Sequence, residues 1–74
     1  MPPNRKGRRR YATRLRASRE AANLTQEELA KELDVTGRAV QDWENGRAWP
    51  QPRHRRKLQE RFPELAAAIA LVAA

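Results

Sequence analysis

The stretch LTQEELAKELDVTGRAVQDWENG, running from Leu24 to Gly46, decides the fold. Thr25-Gln-Glu-Glu28 is a capping box. The Thr25 hydroxyl can accept from the Glu28 amide while the Glu28 carboxylate reaches back to the Thr25 amide. Glu27 and Glu28 also put negative charge where the helix dipole is positive. Leu29, Ala30 and Leu33 supply an apolar face, and Asp34 marks the end of a short helix. Thr36 then caps the next helix, which runs to about Asn45 and has Gly46 as its C-terminal glycine. With residues about 100° apart, Val40 and Trp43 fall on one side of it. Arg38, Gln41, Asp42 and Asn45 fall opposite, and Glu44 sits at the boundary, able to reach inward.

Two short helices joined by so few residues must cross steeply. The small Ala30 permits close approach, and the apolar Val35 plugs the corner between them. Such a pair lets its second helix project into a major groove about 12 Å wide.

The flanks read outward from this centre. Met1 to Gly7 holds two prolines, a glycine and no apolar period, and so reads as a flexible arm. A first helix is expected from about Arg9, with Tyr11, Leu15, Ser18 and Ala22 on one face and Asn23 as its stop. Ser18 is small for that stripe and predicts a loose corner in the core. Beyond Gly46, Arg47 to Pro52 reads as a loop. Pro52 suits the first turn of a fourth helix, with Leu58 and Phe62 facing inward. Pro63 closes that helix and opens a fifth, from Glu64 to Val72. No segment alternates with a strand period. The expectation is an all-α fold of five short helices, with residues 1–8 a flexible basic arm and 9–74 the domain.

Composition narrows the function. Sixteen basic residues against nine acidic ones give a net charge of +7, and such a chain is drawn to polyanions. The charges are ordered along the chain. Arg5, Lys6, Arg8, Arg9, Arg10, Arg14, Arg16 and Arg19 precede the first acid, Glu20. Arg53, Arg55, Arg56, Lys57 and Arg61 form a second basic block. Two basic blocks around an acidic middle suggest two anchor points on one extended polyanion. With 74 residues and no cysteine, stability must come from packed helices rather than disulfides or thiolate metal sites. Leu65 to Ala74 is the only strongly apolar segment and is too short to span a bilayer. Met1 to Arg10 leads into no apolar stretch and is not a secretory signal. A cytoplasmic protein is expected.

Catalysis finds no support. His54, the only histidine, stands between arginines, and no metal-ligand spacing is present. Gly7, Gly37 and Gly46 form no phosphate loop. No enzyme activity, cofactor, metal or small-molecule ligand is expected, and double-stranded DNA is the expected partner.

From Arg14 to about Phe62 the chain resembles the Cro and phage-repressor family, also called lambda-repressor-like or xenobiotic-response-element helix-turn-helix proteins. LTQEELA, the Val40 and Trp43 pair and the Trp43-Glu-Asn-Gly46 ending carry the likeness. The resemblance implies that Gln26 contacts a phosphate and buttresses the recognition helix. Gly37, Arg38 and Asp42 match base-facing positions, and Asn45 and Arg47 match phosphate contacts. Arg19 and Glu44 match an ion pair tying the first helix to the third.

Thr36, at the cap, joins the expected phosphate contacts, and Gln41 joins the base-facing set from its place on the helix. Arg38 can donate bidentately to guanine, or contact a phosphate, or simply be solvated. Asp42 either accepts from cytosine or pairs with Arg38 one turn away. Gly37 has no side chain where a base contact is often made, so Arg38 carries more of the readout or the backbone approaches more closely.

The basic arm, Arg5, Lys6, Arg8, Arg9 and Arg10, is expected to order on DNA by wrapping the duplex or entering the minor groove. At the other end, Leu65, Ile69 and Val72 can close the core. Ala68 and Leu71 would then be exposed, and Leu65, Ala68, Ile69, Leu71 and Val72 together make a candidate homodimer interface. The implied function is a palindrome-binding transcriptional regulator of the small Cro type. An antitoxin whose C-terminal helix holds a protein partner, or an excisionase-like architectural factor, would share the same start.

Overall fold

The computed structural model describes residues 3–68, and the expectations for Ile69, Leu71 and Val72 lie outside that range. Four helices follow in order: α1 Arg5–Ala21, α2 Gln26–Leu33, α3 Gly37–Glu44 and α4 Pro52–Arg61. The chain turns helical again over 65–68, where a fifth helix begins, and no strand occurs among the described residues.

Local chemistry sets the starts. Both halves of the Thr25–Glu28 capping box form, and the Thr36 hydroxyl accepts from the Ala39 amide at 3.1 Å. Pro52 stands in the first turn of α4, where its missing N–H costs nothing.

The stops of α1, α2 and α3 share one device. Asn23, Asp34 and Gly46 each take the left-handed conformation, with φ of 58°, 57° and 71°. The next residue then folds its amide back onto a carbonyl five positions earlier. Leu24 donates to Arg19 at 3.2 Å, Val35 to Ala30 at 2.9 Å and Arg47 to Asp42 at 2.9 Å. This closure satisfies end carbonyls that would otherwise have no partner, and it favours an apolar residue after the left-handed one. Leu24 and Val35 fill that role by packing on the core. After α3 the position is Arg47, which stays exposed.

The core joins Tyr11 and Leu15 of α1, Leu29, Ala30 and Leu33 of α2, and Val40 and Trp43 of α3 to Leu58, Phe62 and Leu65. Ala30 is buried at the α2–α3 crossing, and Val35 plugs the corner as its position suggested.

Three expectations change. First, α1 begins at Arg5 rather than near Arg9, so residues 5–8 are not a flexible arm. The Asn4 side chain accepts from the Gly7 amide at 2.9 Å and caps the helix. The turn before Tyr11 lacks an apolar period because it largely faces solvent. Second, the corner at Ser18 is closed rather than loose, since its hydroxyl donates to Glu64 at 2.7 Å. Third, Ala68 is buried instead of exposed, and Leu65 is fully covered. Within one chain both belong to the core rather than to an interface between copies.

Candidate nucleic-acid interface

The candidate surface is the outer side of α3, held in place by its inner side. Val40 and Trp43 are buried in the core, and Glu44, beside them, is buried as well. The Glu44 carboxylate accepts two hydrogen bonds from Arg19, from Nε at 2.6 Å and Nη2 at 3.0 Å. A third comes from the Gln26 amide at 3.2 Å. Arg19 also donates to the Leu24 carbonyl at 2.7 Å, so one guanidinium joins α1, the following turn and α3. The bond to Glu44 holds the Arg19 proton more firmly than usual. Two forked, buried bonds fix the orientation of α3 more tightly than apolar contacts alone.

Arg38, Gln41 and Asn45 are exposed on the opposite side, with Asp42 half-buried beside them. Arg38 donates to Asp42 at 3.1 Å, one turn apart, while keeping 70% of its side chain in solvent. Asp42 therefore orients Arg38 on the unbound surface. Thr36 and Arg47 are exposed at the two ends of this face, and Gln26 is half-buried at its side. Gln26, expected on a phosphate, is already engaged with Glu44 and so buttresses α3 directly.

The start of α1 adjoins the same face. The Arg8 Nε donates to the Gly46 carbonyl at 3.4 Å, beyond the end of α3, and its Nη1 donates to the Pro3 carbonyl at 2.9 Å. A Cβ built on Gly46 would lie 3.6 Å from the Arg9 side chain, so little more than a methyl group separates the two segments there. Arg5, Lys6, Arg9 and Arg10 are exposed along this stretch, and only Arg8 is half-buried. They form a basic helical ridge, which Arg8 ties to Gly46 beyond the end of α3.

Residues 15–68 match a family model described as helix-turn-helix. The chain belongs to the lambda-repressor/Cro-like helix-turn-helix family. No curated protein and no solved structure matches it significantly. This helix-turn-helix protein is accordingly a DNA-binding regulator built on an all-α lambda-repressor-like fold. Among its described residues, no helix is long and apolar enough to cross a membrane.

Two sets of contacts, one inside the helix-turn-helix unit and one beside it, were not visible in sequence, although Trp49, in the loop before Pro50, reads as cover for the core edge. The Glu27 carboxylate lies against Gly37 at the start of α3: a Cβ there would sit 2.0 Å from Oε1 and 2.6 Å from Cδ. Glu27 read only as a charge suited to the dipole of α2. Trp49 is half-buried against the core, meets the Tyr11 ring edge-on at 4.8 Å and carries the Arg55 guanidinium 5.1 Å from its ring centre. One arginine of the second basic block thus covers the core edge. The glycine at 37 and the aromatic at 49 were the available signals, but their partners belong to other elements of the fold.

Proposed function

We propose that this protein is a sequence-specific transcriptional regulator of the small Cro/repressor kind, binding a two-fold symmetric DNA operator as a homodimer. The observation that carries this reading is the division of α3. Its inner side is locked by Val40, Trp43 and the Arg19–Glu44–Gln26 network, while Arg38, Gln41 and Asn45 are exposed on the other. In this reading Arg38 donates to guanine O6 and N7, steadied by Asp42, and Gln41 reaches the neighbouring base. Thr36, Asn45, Arg47 and the unused donors of Gln26 take phosphates. Arg5, Lys6, Arg9 and Arg10 extend the phosphate contacts as a preformed helical ridge instead of a wrapping arm.

So few base-reading side chains make one copy a weak discriminator, and a second copy doubles the reading. Two recognition helices in a dimer would meet the duplex about 34 Å apart. Leu65 and Ala68 are covered inside the chain, so in this reading the dimer contact falls to the remaining candidates, Ile69, Leu71 and Val72. An excisionase-like factor would carry a β-wing after the helix-turn-helix, where this chain has the helix Pro52–Arg61.

Selection of bound sequences from random duplex DNA tests the reading. An inverted repeat is the expected result, and enrichment of a single asymmetric site would refute the dimer. Arg38→Ala should lose about 1–3 kcal/mol of discrimination at one guanine per half-site, with non-specific affinity nearly intact. Equal weakening on every sequence would make Arg38 a phosphate contact.

A further inference from the structure

Position 37 is a glycine on the row of α3 that continues to Gln41, one turn on, beside the Arg38–Asp42 row. A side chain there would leave the helix along its Cβ direction, and that space is already filled. An added Cβ would meet Glu27 Oε1 at 2.0 Å, Cδ at 2.6 Å and Oε2 at 3.1 Å. Every atom of the Glu27 carboxyl group therefore stands where residue 37 would begin to project. Gln26 and Glu27 are adjacent on α2 yet serve different parts of α3. Gln26 holds Glu44 at its end, and Glu27 covers Gly37 at its beginning. The capping box uses Glu28, so Glu27 is not needed to start α2.

We propose that Glu27 is a base-reading residue, lending α3 the side chain that Gly37 lacks and accepting a hydrogen bond from cytosine N4. The inference rests on the DNA-reading role of α3 given above. An ionised carboxylate only accepts hydrogen bonds. In the major groove, guanine offers two acceptors, thymine offers O4, and adenine sets its N6 donor beside the N7 acceptor. Cytosine alone presents an amino donor with no acceptor next to it on the same base. An exposed carboxylate at this point is repelled by the phosphates on any sequence and by the base edge on most. Glu27 thus acts chiefly by penalising wrong bases, which is how a weak reading surface gains discrimination.

The experiment is a binding-site selection on the wild-type protein, Glu27→Gln, Glu27→Ala and Gly37→Ala, with far-ultraviolet circular dichroism confirming that each variant folds. The wild type should require cytosine at one position of each half-site by about tenfold or more. Glu27→Ala should flatten that position alone and raise affinity for unrelated DNA. Glu27→Gln, which both donates and accepts, should broaden it toward adenine. Gly37→Ala should displace the carboxylate and flatten the same position. An unchanged cytosine preference in Glu27→Ala overturns the role of Glu27 while leaving sequence-specific binding standing. A wild-type protein that enriches no sequence overturns both.

Discussion

Glu44 is where the long-range polar structure of this chain converges. Its side chain is 1% exposed and accepts from Arg19 and Gln26, which lie on two other helices. Removing a charge from water at such a site costs several kcal/mol, and only a well-formed pair offsets it. Glu44→Ala would leave the Arg19 guanidinium buried to nine-tenths without its anion. A loss of about 3–5 kcal/mol in urea unfolding is expected. Replacing both partners by apolar residues, Arg19→Met with Glu44→Leu, should recover most of that stability. It should not recover DNA affinity, because Gln26 and α3 would lose their shared anchor. If the double variant is as unstable as the single one, the pair is a net stabiliser and not chiefly an orienting device. Tyr11 shows the cost of a buried polar group in another form. Its hydroxyl is buried with no hydrogen-bond partner among the described residues, and burial drives its acidity well below that of an exposed tyrosine, against the opposing charge of Arg55.

At the scale of elements, the left-handed stops at Asn23 and Gly46 bound the helix-turn-helix, and the one at Asp34 makes its turn. Asp34 holds φ of 57° at a site where a β-carbon is strained, so Asp34→Gly should raise stability by about 0.5–1 kcal/mol in thermal melts. No gain would mean that the carboxylate supplies a compensating contact. Caps and stops were legible because they lie within a few residues of one another, as in Thr25 with Glu28 and Asp34 with Val35. The start of α1 was not legible. Asn4 sits three residues before a glycine in a run of bases with no apolar period, and that composition reads as loop. This turn is also electrostatically awkward, since its first residues are basic and none is acidic at the positive end of the dipole. Adding duplex DNA should therefore increase helicity measured by circular dichroism. Deleting residues 1–10 should abolish that increment and reduce the salt slope of binding. An unchanged slope would show that the ridge never meets phosphate.

Over the whole molecule, protons act in one direction from neutral pH downward. Hydrogen bonds from the Thr25 amide and hydroxyl hold the Glu28 carboxyl below its ordinary value near 4.5, and the Ser18 hydroxyl does the same for Glu64. Burial, aided by the charges of Arg53 and Lys57, lowers His54 from its ordinary 6.5. Each group binds its proton more readily when unfolded. Their contributions are therefore complete above the unfolded values and are lost as pH falls through the folded ones. Melting temperature should be level between about pH 7 and 9, decline on acidification first as His54 titrates and again below about pH 4.5, and fall above about pH 10, where an unfolded tyrosine ionises and buried Tyr11 does not. His54→Gln should remove the upper step, and a step that survives belongs to another group.

The site was only half legible at this scale. Helical projection separated Arg38, Gln41 and Asn45 from Val40 and Trp43, since one period governs both faces. Ser18 with Glu64, Arg8 with Gly46 and Glu27 with Gly37 are joined by the packing of separate elements, and no local pattern announces them.

The division of α3 has a consequence for how such a protein changes over generations. Its anchors, Val40, Trp43 and Glu44, share no partner with Arg38 and Gln41 in the described structure, and its two ends are closed by Thr36 and Gly46. Mutations at 38 and 41 can accumulate without disturbing the scaffold. A descendant can acquire a new genetic address while inheriting the same architecture, and relatives with alike folds should diverge fastest at those letters.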